Sequence, residues 1–346
     1  MQVSEYVSIG HPDKVADYIS QYLLDRYIES DPDTRYAVEV QIKDAFVTLG
    51  GEITSKKTFT AEQIANFVRE AVAEIGYTQE YQDKWGSCNT ISADNIVVST
   101  HIGQQSSDIA VGIENKGWGD QGIFFGMCKY DICDTTGMPL DHSMAKRLCH
   151  ELFYSGLGGL DIKTQITTEG RDFKQVIVAI PVMEECELPK IKSFVRDNIQ
   201  GDYDLIVNGT GIYRQHGSIA DCGTTGRKLA VDFYGGNCFI GGGSPWTKDA
   251  SKADLTLNLL ARKLAKQYCH EFKTDVFVKL ACCIGRKEVD FVVYNGDNCL
   301  LDRQTMNCAP AELKRIFGLN KPIFASMCRW GLFGEYQSDK AWEKDG

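Results

Sequence analysis

The chain has 346 residues, 43% of them hydrophobic and 24% charged, and its 37 basic against 47 acidic side chains give a net charge of −10. This balance argues against a nucleic-acid or anionic-membrane partner, so an anionic ligand must be met by a local group of cations. The first residues lack the regions of a signal peptide, no apolar run approaches membrane-spanning length, and the thirteen cysteines show no zinc or disulfide-framework spacing. We therefore expect a cytoplasmic globular protein with reduced thiols.

The first motif, residues 8–14 (SIGHPDK), lies where a helix is predicted to begin. Pro12 suits the first helical position. Apolar residues then recur at a helical period along one face, at Val15, Ile19, Leu23 and Tyr27. Ordinary capping would explain Asp13 alone. His11 followed three residues later by Lys14 favours instead an acid or a phosphate-contacting group at this helix start.

Two segments of alternating polarity, 36–43 and 46–53, predict a pair of strands joined by a turn at residues 44–45. Glu39 is by default a solvated residue of the first strand. Glu52 follows two glycines and is weak evidence for a site on its own.

Further elements follow in chain order. Residues 60–63 (TAEQ) form a capping box that starts a helix ending near Gly76, and a strand is predicted over 95–100. The polar stretch 102–108 breaks this pattern and predicts a loop, part of a mobile segment over 104–116. The next elements are a helix over 141–153, a hairpin of 161–168 with 173–180, and a short helix over 188–199.

Two glycine clusters stand out in the second half of the chain: residues 221–228 (DCGTTGRK) and 241–254 (GGGSPWTKDASKAD). Glycine lets backbone N–H groups approach a bulky anion closely, and each cluster carries two cations. Solvated hairpin turns would be the better explanation for a single such cluster. Two basic pairs interleaved with Asp221 and Asp254 favour a polyphosphate held together with a metal ion. Cys222 is the thiol that we expect to be most open to oxidation.

The elements around these clusters complete a repeating pattern. A strand is predicted over 229–234 and a helix over 249–272, capped by Asp249 or Ser251. The last elements are a hairpin of 276–284 with 288–294 and a short helix over 310–317. Hairpin followed by helix thus occurs three times, which predicts an α+β fold of three similar, pseudo-threefold domains, each a mixed or antiparallel sheet with helices on one face. In sequence order the domains are 1–103, 117–216 and 217–346.

The motifs resemble those of the S-adenosylmethionine synthetase (methionine adenosyltransferase) family, in order and over nearly the whole chain. The motifs that carry the resemblance are residues 10–14 (GHPDK), 50–53 (GGEI), 119–122 (GDQG), 221–228, 234–236 (YGG), 241–243 (GGG) and 248–254 (KDASKAD). The resemblance implies attack of the methionine sulfur on C5′ of ATP, release of the triphosphate, and its hydrolysis to diphosphate and phosphate, with Mg²⁺ and K⁺ assisting. It also implies a homodimer, often paired again as a dimer of dimers, with active sites between subunits.

The resemblance assigns roles to single residues as well. The expected catalytic residues are His11, Asp221, Arg227 and Lys248. The expected ATP contacts are these four together with Asp161, Lys163, Tyr213, Lys228 and Ser244. The expected methionine contacts are Glu52, Gln105, Asp120, Asp221 and Lys252. The expected metal ligands are Asp13 and Asp254 for Mg²⁺ and Glu39 for K⁺.

Four positions depart from the family pattern. Ile9 stands in place of an acid, Ser107 in place of proline and Ile212 in place of arginine, and Trp246 interrupts the usual order of small and aromatic residues. These departures concern the adenine pocket and the loop, not the triphosphate and metal groups. Two alternatives stay open: a catalytically silent homologue that binds nucleotide or a true synthetase, and an ATP-dependent transferase with a different acceptor.

Overall fold

Three four-stranded sheets organise the residues that the computed structural model describes, which are 1–89, 91–103, 117–131 and 136–344. The strands are β1 (Gln2–Val7), β2 (Arg35–Lys43), β3 (Phe46–Thr54), β4 (Val97–Gly103), β5 (Gly122–Cys128), β6 (Lys163–Glu169), β7 (Asp172–Ala179), β8 (Asp204–Val207), β9 (Gly223–Thr224), β10 (Val276–Cys282), β11 (Glu288–Asn295) and β12 (Leu300–Asn307). The helices are α1 (Pro12–Ser30), α2 (Ala61–Ile75), α3 (Gln79–Trp85), α4 (Leu140–Ser155), α5 (Leu188–Asn198), α6 (Leu229–Asp232), α7 (Ala253–Phe272), α8 (Pro310–Ile316) and α9 (Phe324–Arg329). None of the helices in this described part has the length and apolarity that crossing a membrane requires.

The first sheet has the strand order β1-β6-β7-β8. β1, β6 and β7 pair antiparallel, and β8 joins β7 in parallel. Alternate residues such as Ile166 and Val176 are buried in one core with Leu148 of α4, because successive side chains of a strand point to opposite faces. Lys163 lies opposite Val7 in the register, which places the start of β6 beside the segment that leads into α1.

The second sheet has the order β12-β11-β10-β5 and is antiparallel throughout. Helix α7 packs on β5 and β10. A Cβ atom at Gly126 of β5 would lie 2.0 Å from the Ala261 carbonyl oxygen. Glycine at this position is therefore what lets α7 lie directly on the strand.

The third sheet has the order β4-β3-β2-β9, with β3 and β4 parallel. Helix α1 packs on β2 and also contacts α2, α9 and the short strand β9. This surrounding explains why α1 is buried along most of its length and not only along the predicted apolar face. The helix that carries the first motif is therefore a central, rigid element.

Strand pairing crosses the borders of the three sequence segments. β1 from the first segment pairs with β6 from the second, and β5 from the second segment pairs with β10 from the third. The predicted α+β class with mixed and antiparallel sheets is confirmed. The similarity of three domains, and the segments 1–103, 117–216 and 217–346, stay predictions about a chain whose sheets are discontinuous in sequence.

Several predicted elements are confirmed in detail. Helix α1 begins at Pro12. The capping box is present at α2, where Thr60 and Gln63 exchange hydrogen bonds, and this helix ends at Gly76 with a φ of +119°, which favours glycine. The three predicted hairpins correspond to β2 with β3, β6 with β7 and β10 with β11.

Other predicted elements are wrong. Residues 229–232 form the short helix α6 instead of a strand, because the apolar run there wraps a buried aspartate, Asp232, rather than a sheet face. Helix α7 begins at Ala253 and not at Asp249, since the Asp249 carboxylate accepts the Tyr36 and Ser251 N–H groups, each at 2.8 Å. Neither Asp249 nor Ser251 caps it: Lys252 is the N-cap residue, without a side-chain hydrogen bond.

Two further differences concern strands. Residues 102–103 of the predicted loop belong to β4, where they pair in parallel with residues 51–52. The rest of that loop, and the predicted mobile segment 104–116, lie outside the described residues. β12 has no predicted counterpart, because its mostly exposed sequence, LLDRQTMN, lacks a clear apolar alternation.

Candidate active site

The start of α1 is tied to the glycine turn around residue 224, far along the chain. His11 is the N-cap residue, and its Nδ1 atom accepts the Asp13 N–H at 3.1 Å. The Asp13 carboxylate accepts the Thr224 N–H at 2.9 Å and the Lys228 ammonium at 2.6 Å. The Arg227 guanidinium lies 3.6 Å from the same carboxylate. The structure therefore gathers one imidazole, one carboxylate and two cations at one place.

The protonation states of this group follow from its surroundings. Burial, and after it the ammonium groups of Lys228 and Lys163, lower the pKa of His11 to about 3. The imidazole is therefore neutral at neutral pH, and because Nδ1 accepts a hydrogen bond, the proton lies on Nε2. Burial alone would raise the pKa of Asp13, but hydrogen bonds from Lys228 and the Thr224 N–H hold it below its usual range.

Asp161, just before β6, is a buried acid next to the same cations. Its Oδ2 atom accepts the Gly217 N–H at 3.0 Å, whereas its Oδ1 atom is buried without a hydrogen-bond partner among the described residues. Burial raises the pKa of Asp161 to about 6, against the Gly217 hydrogen bond and the charge of Lys163. The Tyr213 hydroxyl donates to the Asp161 carbonyl oxygen at 3.2 Å. One acceptor atom of Asp161 is thus buried and unsatisfied by the residues that the structure describes.

The second glycine cluster is anchored on β2. Lys248 makes a backbone bridge to Ala37, and its ammonium pairs with the Asp254 carboxylate in the first turn of α7. A Cβ atom at Gly243 would lie 2.0 Å from the Asp254 carboxyl carbon, so glycine is needed beside this side chain. The helix dipole favours the negative charge of Asp254 at this position.

Glu39, in the middle of β2, joins the two clusters. Its carboxylate oxygens accept hydrogen bonds from the Thr225 hydroxyl and, at 3.0 Å, from the Thr247 hydroxyl. The Thr225 hydroxyl oxygen in turn accepts the Val40 N–H at 3.2 Å. Three oxygen-bearing side chains converge here, one on β2 and one from each cluster.

A buried charge network lies beneath the clusters. Lys14 donates to both carboxylate oxygens of Asp232, at 2.7 and 2.8 Å, and the Trp246 indole N–H donates to Asp232 at 2.7 Å. Asp17 lies 3.3 Å from Lys14 and accepts the Gly226 N–H at 2.8 Å. Burial raises the pKa of Asp17 to about 7. This network holds both clusters against α1.

Sequence reasoning missed Asp17 and Asp232, and it treated Trp246 only as a departure from a family pattern. A usable signal was present, because each aspartate interrupts an apolar segment that the fold buries. A buried carboxylate must find a partner, so such positions predict a hydrogen-bonded network.

The predicted methionine contacts lie on several elements. Glu52 is half-buried in β3, Lys252 is the N-cap residue of α7, and Gln105 lies outside the described residues. Asp120 is exposed before β5, and Asp221 is exposed and accepts the Cys222 N–H at 2.8 Å. The structure does not bring this set together through direct side-chain contacts among the described residues.

Two remaining predictions concern the edge of the second cluster and the metal ligands. Ser244 lies beside Gly226 and accepts the Trp246 N–H at 3.1 Å. Within the described ranges, no group of three or more histidine, cysteine, aspartate or glutamate side chains is arranged to hold a metal ion. The two expected Mg²⁺ ligands, Asp13 and Asp254, are each paired with a lysine.

The fold and the site define a class: an α+β protein in which two glycine clusters gather cations and carboxylates around the start of one buried helix. Residues 1–107 match the N-terminal domain of S-adenosylmethionine synthetase, and residues 215–344 match its C-terminal domain. S-adenosylmethionine synthase of Acholeplasma laidlawii is 32% identical over 99% of this chain and 96% of its own length. The chain therefore belongs to the S-adenosylmethionine synthetase family.

Other relatives agree over nearly their full length. S-adenosylmethionine synthase of Paramagnetospirillum magneticum is also 32% identical, over 99% of this chain and 95% of its own. The solved structure of an unusual S-adenosylmethionine synthetase from Campylobacter jejuni superposes with a TM-score of 0.88 at 28% identity, covering 99% of this chain and 96% of that one. The predicted family and its enzyme class, methionine adenosyltransferase, are confirmed.

Proposed function

We propose that the protein forms S-adenosylmethionine from ATP and L-methionine and hydrolyses the displaced triphosphate to diphosphate and phosphate. The observation that carries this proposal is the convergence of His11, Asp13, Arg227 and Lys228 at the start of α1, in a chain of this family. A triphosphate gains negative charge at the bridging oxygen as its bond to C5′ breaks. Cations that are already in place stabilise this charge more than they stabilise bound ATP, which accelerates the reaction.

The cationic side chains would divide this task. Arg227, Lys228 and Lys248 would contact phosphate oxygens, and the partial exposure of all three leaves their charged ends accessible to a ligand. His11 would donate its Nε2–H to an oxygen close to the breaking bond. Because its imidazole is neutral, His11 would act as a hydrogen-bond donor without adding a charge.

The nucleoside and the amino acid would meet other groups. The unpartnered Oδ1 atom of Asp161 would accept a hydroxyl or amino hydrogen of the nucleoside, next to Lys163 and the ring of Tyr213. Asp221 would help to orient both substrates. The proposed methionine contacts are Glu52, Gln105, Asp120, Asp221 and Lys252. Since these residues lie on separate elements, we propose that the second subunit of a homodimer completes each active site, and that the dimer acts alone or as half of a dimer of dimers. We also propose that the protein acts in the cytoplasm.

The proposed ions fit the residues that would hold them. Asp13 and Asp254 offer the carboxylate oxygens that Mg²⁺ prefers, and Gly243 keeps the space beside Asp254 free of a side chain. Glu39, Thr225 and Thr247 offer only oxygen donors, which suit K⁺. When bound, Mg²⁺ would neutralise part of the phosphate charge. The lysines now paired with Asp13 and Asp254 would then contact phosphate oxygens instead.

One assay tests the proposed function directly. The purified protein is incubated with ATP, methionine, Mg²⁺ and K⁺, and S-adenosylmethionine, diphosphate and phosphate are followed together by chromatography. We expect equal amounts of all three, dependent on methionine. Nucleotide binding by the folded protein without any product would favour the silent homologue, and product formed only with another sulfur acceptor would favour the different transferase.

A further inference from the structure

We propose that Tyr81 and His216 are positioning residues for the nucleotide end of the active site, acting through one hydrogen-bond chain that ends on the backbone beside Asp161. Tyr81 lies in α3, and His216 lies in the segment before the first glycine cluster. The inference rests on the proposed function, because it concerns how that function's ATP-contacting groups are held.

Each hydrogen bond in this chain has only one possible direction. The Leu160 N–H donates to the Tyr81 hydroxyl oxygen at 2.9 Å. His216 Nδ1 lies 2.6 Å from the Arg214 carbonyl oxygen, which can only accept, so Nδ1 carries the proton. His216 Nε2 is therefore an acceptor, and it receives the Tyr81 hydroxyl hydrogen at 2.6 Å. Tyr81 thus accepts once and donates once, and both of its partners depend on it.

The packing around Tyr81 and His216 maintains the donor and acceptor roles in these hydrogen bonds. His216 is 1% exposed, and its ring lies 4.6 Å from that of Trp85 at an angle of 73°. Tyr81 packs edge-on against Tyr77, with ring centroids 5.4 Å apart. Burial lowers the pKa of His216 to about 4, so the ring is neutral at neutral pH and retains its acceptor.

The hydrogen-bond chain through Tyr81 ends at backbone groups that determine the position of Asp161. Leu160 is the residue before Asp161, and Gly217, the residue after His216, donates its N–H to Asp161 Oδ2 at 3.0 Å. Asp161 is therefore held from both sides by segments that Tyr81 joins. Its other carboxylate oxygen, Oδ1, is buried and lacks a partner in the described part of the chain, so the held orientation keeps one acceptor unsatisfied at the position proposed for the nucleoside.

Tyr77, which packs against Tyr81, also makes a hydrogen bond to the first motif. Tyr77 donates its hydroxyl to the Gly10 carbonyl oxygen at 2.6 Å, directly before His11. A Cβ atom at Gly217, whose φ is +66°, would lie 2.9 Å from the Tyr77 hydroxyl oxygen, so Gly217 and Tyr77 are in close contact. The segments before His11, before Asp161 and after His216 are thus joined through two tyrosines.

The test removes one hydroxyl group and keeps the ring. In Tyr81→Phe, the half-buried Leu160 N–H and the buried His216 Nε2 lose their partner, while the aromatic packing remains. We expect the dissociation constant of Mg·ATP, measured by calorimetry without methionine, to rise about tenfold. The KM for ATP should rise with it, while kcat changes less than about threefold, because the triphosphate groups are untouched.

Tyr203→Phe is the control, since Tyr203 is a buried tyrosine that donates its hydroxyl to a backbone oxygen, that of Ile199 at 2.8 Å, away from the proposed site. This variant should bind Mg·ATP like the parent. An equal loss in both variants, or an unchanged dissociation constant in Tyr81→Phe, would overturn the inference.

A second pair of measurements separates positioning from general loosening. Hydrogen exchange of the Leu160 and Gly217 amides should accelerate in Tyr81→Phe and not in Tyr203→Phe. The double variant Tyr81→Phe/His216→Gln should bind Mg·ATP no more weakly than the worse single variant, because one break already interrupts the chain. Additive losses would show that the two residues act separately and would contradict the inference.

The proposed function and this inference fail differently. A parent protein that binds Mg·ATP but forms no S-adenosylmethionine contradicts the proposed function, while the comparison of dissociation constants still tests the positioning role. A parent that forms S-adenosylmethionine, with an unchanged Tyr81→Phe, overturns the positioning role alone. A folded parent that does not bind Mg·ATP overturns both.

Discussion

The two lysine–aspartate pairs of the site are chemically alike but are held very differently. In the inner pair, Asp13 and Lys228, the carboxylate is 1% exposed and also accepts a backbone N–H, with Arg227 close by. In the outer pair, Lys248 and Asp254, both side chains are more than one-fifth exposed and bind each other. The inner pair is built into the packing of α1, whereas the outer pair joins the segment before α7 to the first turn of that helix.

This difference suits the inner pair to stabilising the fold and the outer pair to changing its partners when a ligand binds. Removing one partner of a pair whose carboxylate is buried and held by additional hydrogen bonds strongly destabilises a protein, whereas a more exposed pair contributes less to stability. The outer pair can therefore exchange partners when a charged ligand arrives, with little loss of folding free energy. The inner pair provides a fixed reference to which that ligand binds.

The largest effect should come from the outer cation. Lys248→Ala should lower kcat on the order of 100- to 1,000-fold, because the lost charge meets the developing triphosphate charge. The free energy of unfolding, measured with urea, should change by less than about 1 kcal/mol. Lys174→Ala is the control, since Lys174 forms an exposed pair with Asp172 at 3.6 Å in the β6–β7 hairpin. An unchanged kcat in Lys248→Ala would remove this residue from the chemistry.

The next effect compares the stability of the two pairs directly. Asp13→Asn should lower the free energy of unfolding by about 2 kcal/mol, because Lys228 keeps its charge without a matching carboxylate. Asp254→Asn should lower it by less than about 1 kcal/mol. Urea unfolding of both variants measures this difference. Equal losses would show that the outer pair is as firmly built as the inner one.

A smaller effect is expected in the response to magnesium. Asp254→Asn should raise the Mg²⁺ concentration needed for half-maximal activity by roughly tenfold or more, because an amide is a poorer Mg²⁺ ligand than a carboxylate. Asp249→Asn tests the neighbouring carboxylate, which is engaged with Tyr36 and Ser251 N–H groups, and should leave the Mg²⁺ titration unchanged. Superimposable titrations of Asp254→Asn and the parent would exclude Asp254 as a ligand.

The smallest effect is a dependence on salt. Any stability that Asp254→Asn loses at low ionic strength, less than about 1 kcal/mol, should largely disappear in 0.5 M KCl, since partly exposed charges are screened. The larger loss in Asp13→Asn should persist. Urea unfolding at both salt concentrations distinguishes the pairs, and a salt-sensitive Asp13→Asn loss would mean that the inner pair is solvated.

The sequence predicts the local motifs that carry the two lysine–aspartate pairs, but not the long-range contacts that bring these motifs together. The helix start at Pro12 and the two glycine clusters follow from short motifs, because capping and turn formation depend on nearby residues. The contact of Asp13 with Thr224 joins segments 211 residues apart, which no periodicity contains. Asp17 and Asp232 went unnoticed for the same reason, since their partners become visible only when α1 and the clusters are packed together.

The positions of the proposed substrate contacts show the same limit. The predicted hairpin begins with Asp161 in its first strand, yet Asp161 lies before β6 and is buried, where its carboxylate accepts the Gly217 N–H from a distant segment. Tyr81 and His216 carried no motif at all. Their role arises from a chain of single hydrogen bonds, and such a chain leaves no spacing pattern in a sequence.

The discontinuous sheets also determine when the protein can mature during its synthesis. β1 is made long before its neighbour β6, which begins only at Lys163, and β5 must wait for β10, which is complete at residue 282. Until then the nascent chain presents unpaired strand edges, which invite pairing with other chains. A ribosome that stops before residue 282 therefore releases a polypeptide whose β5 lacks its partner strand and which is prone to aggregate.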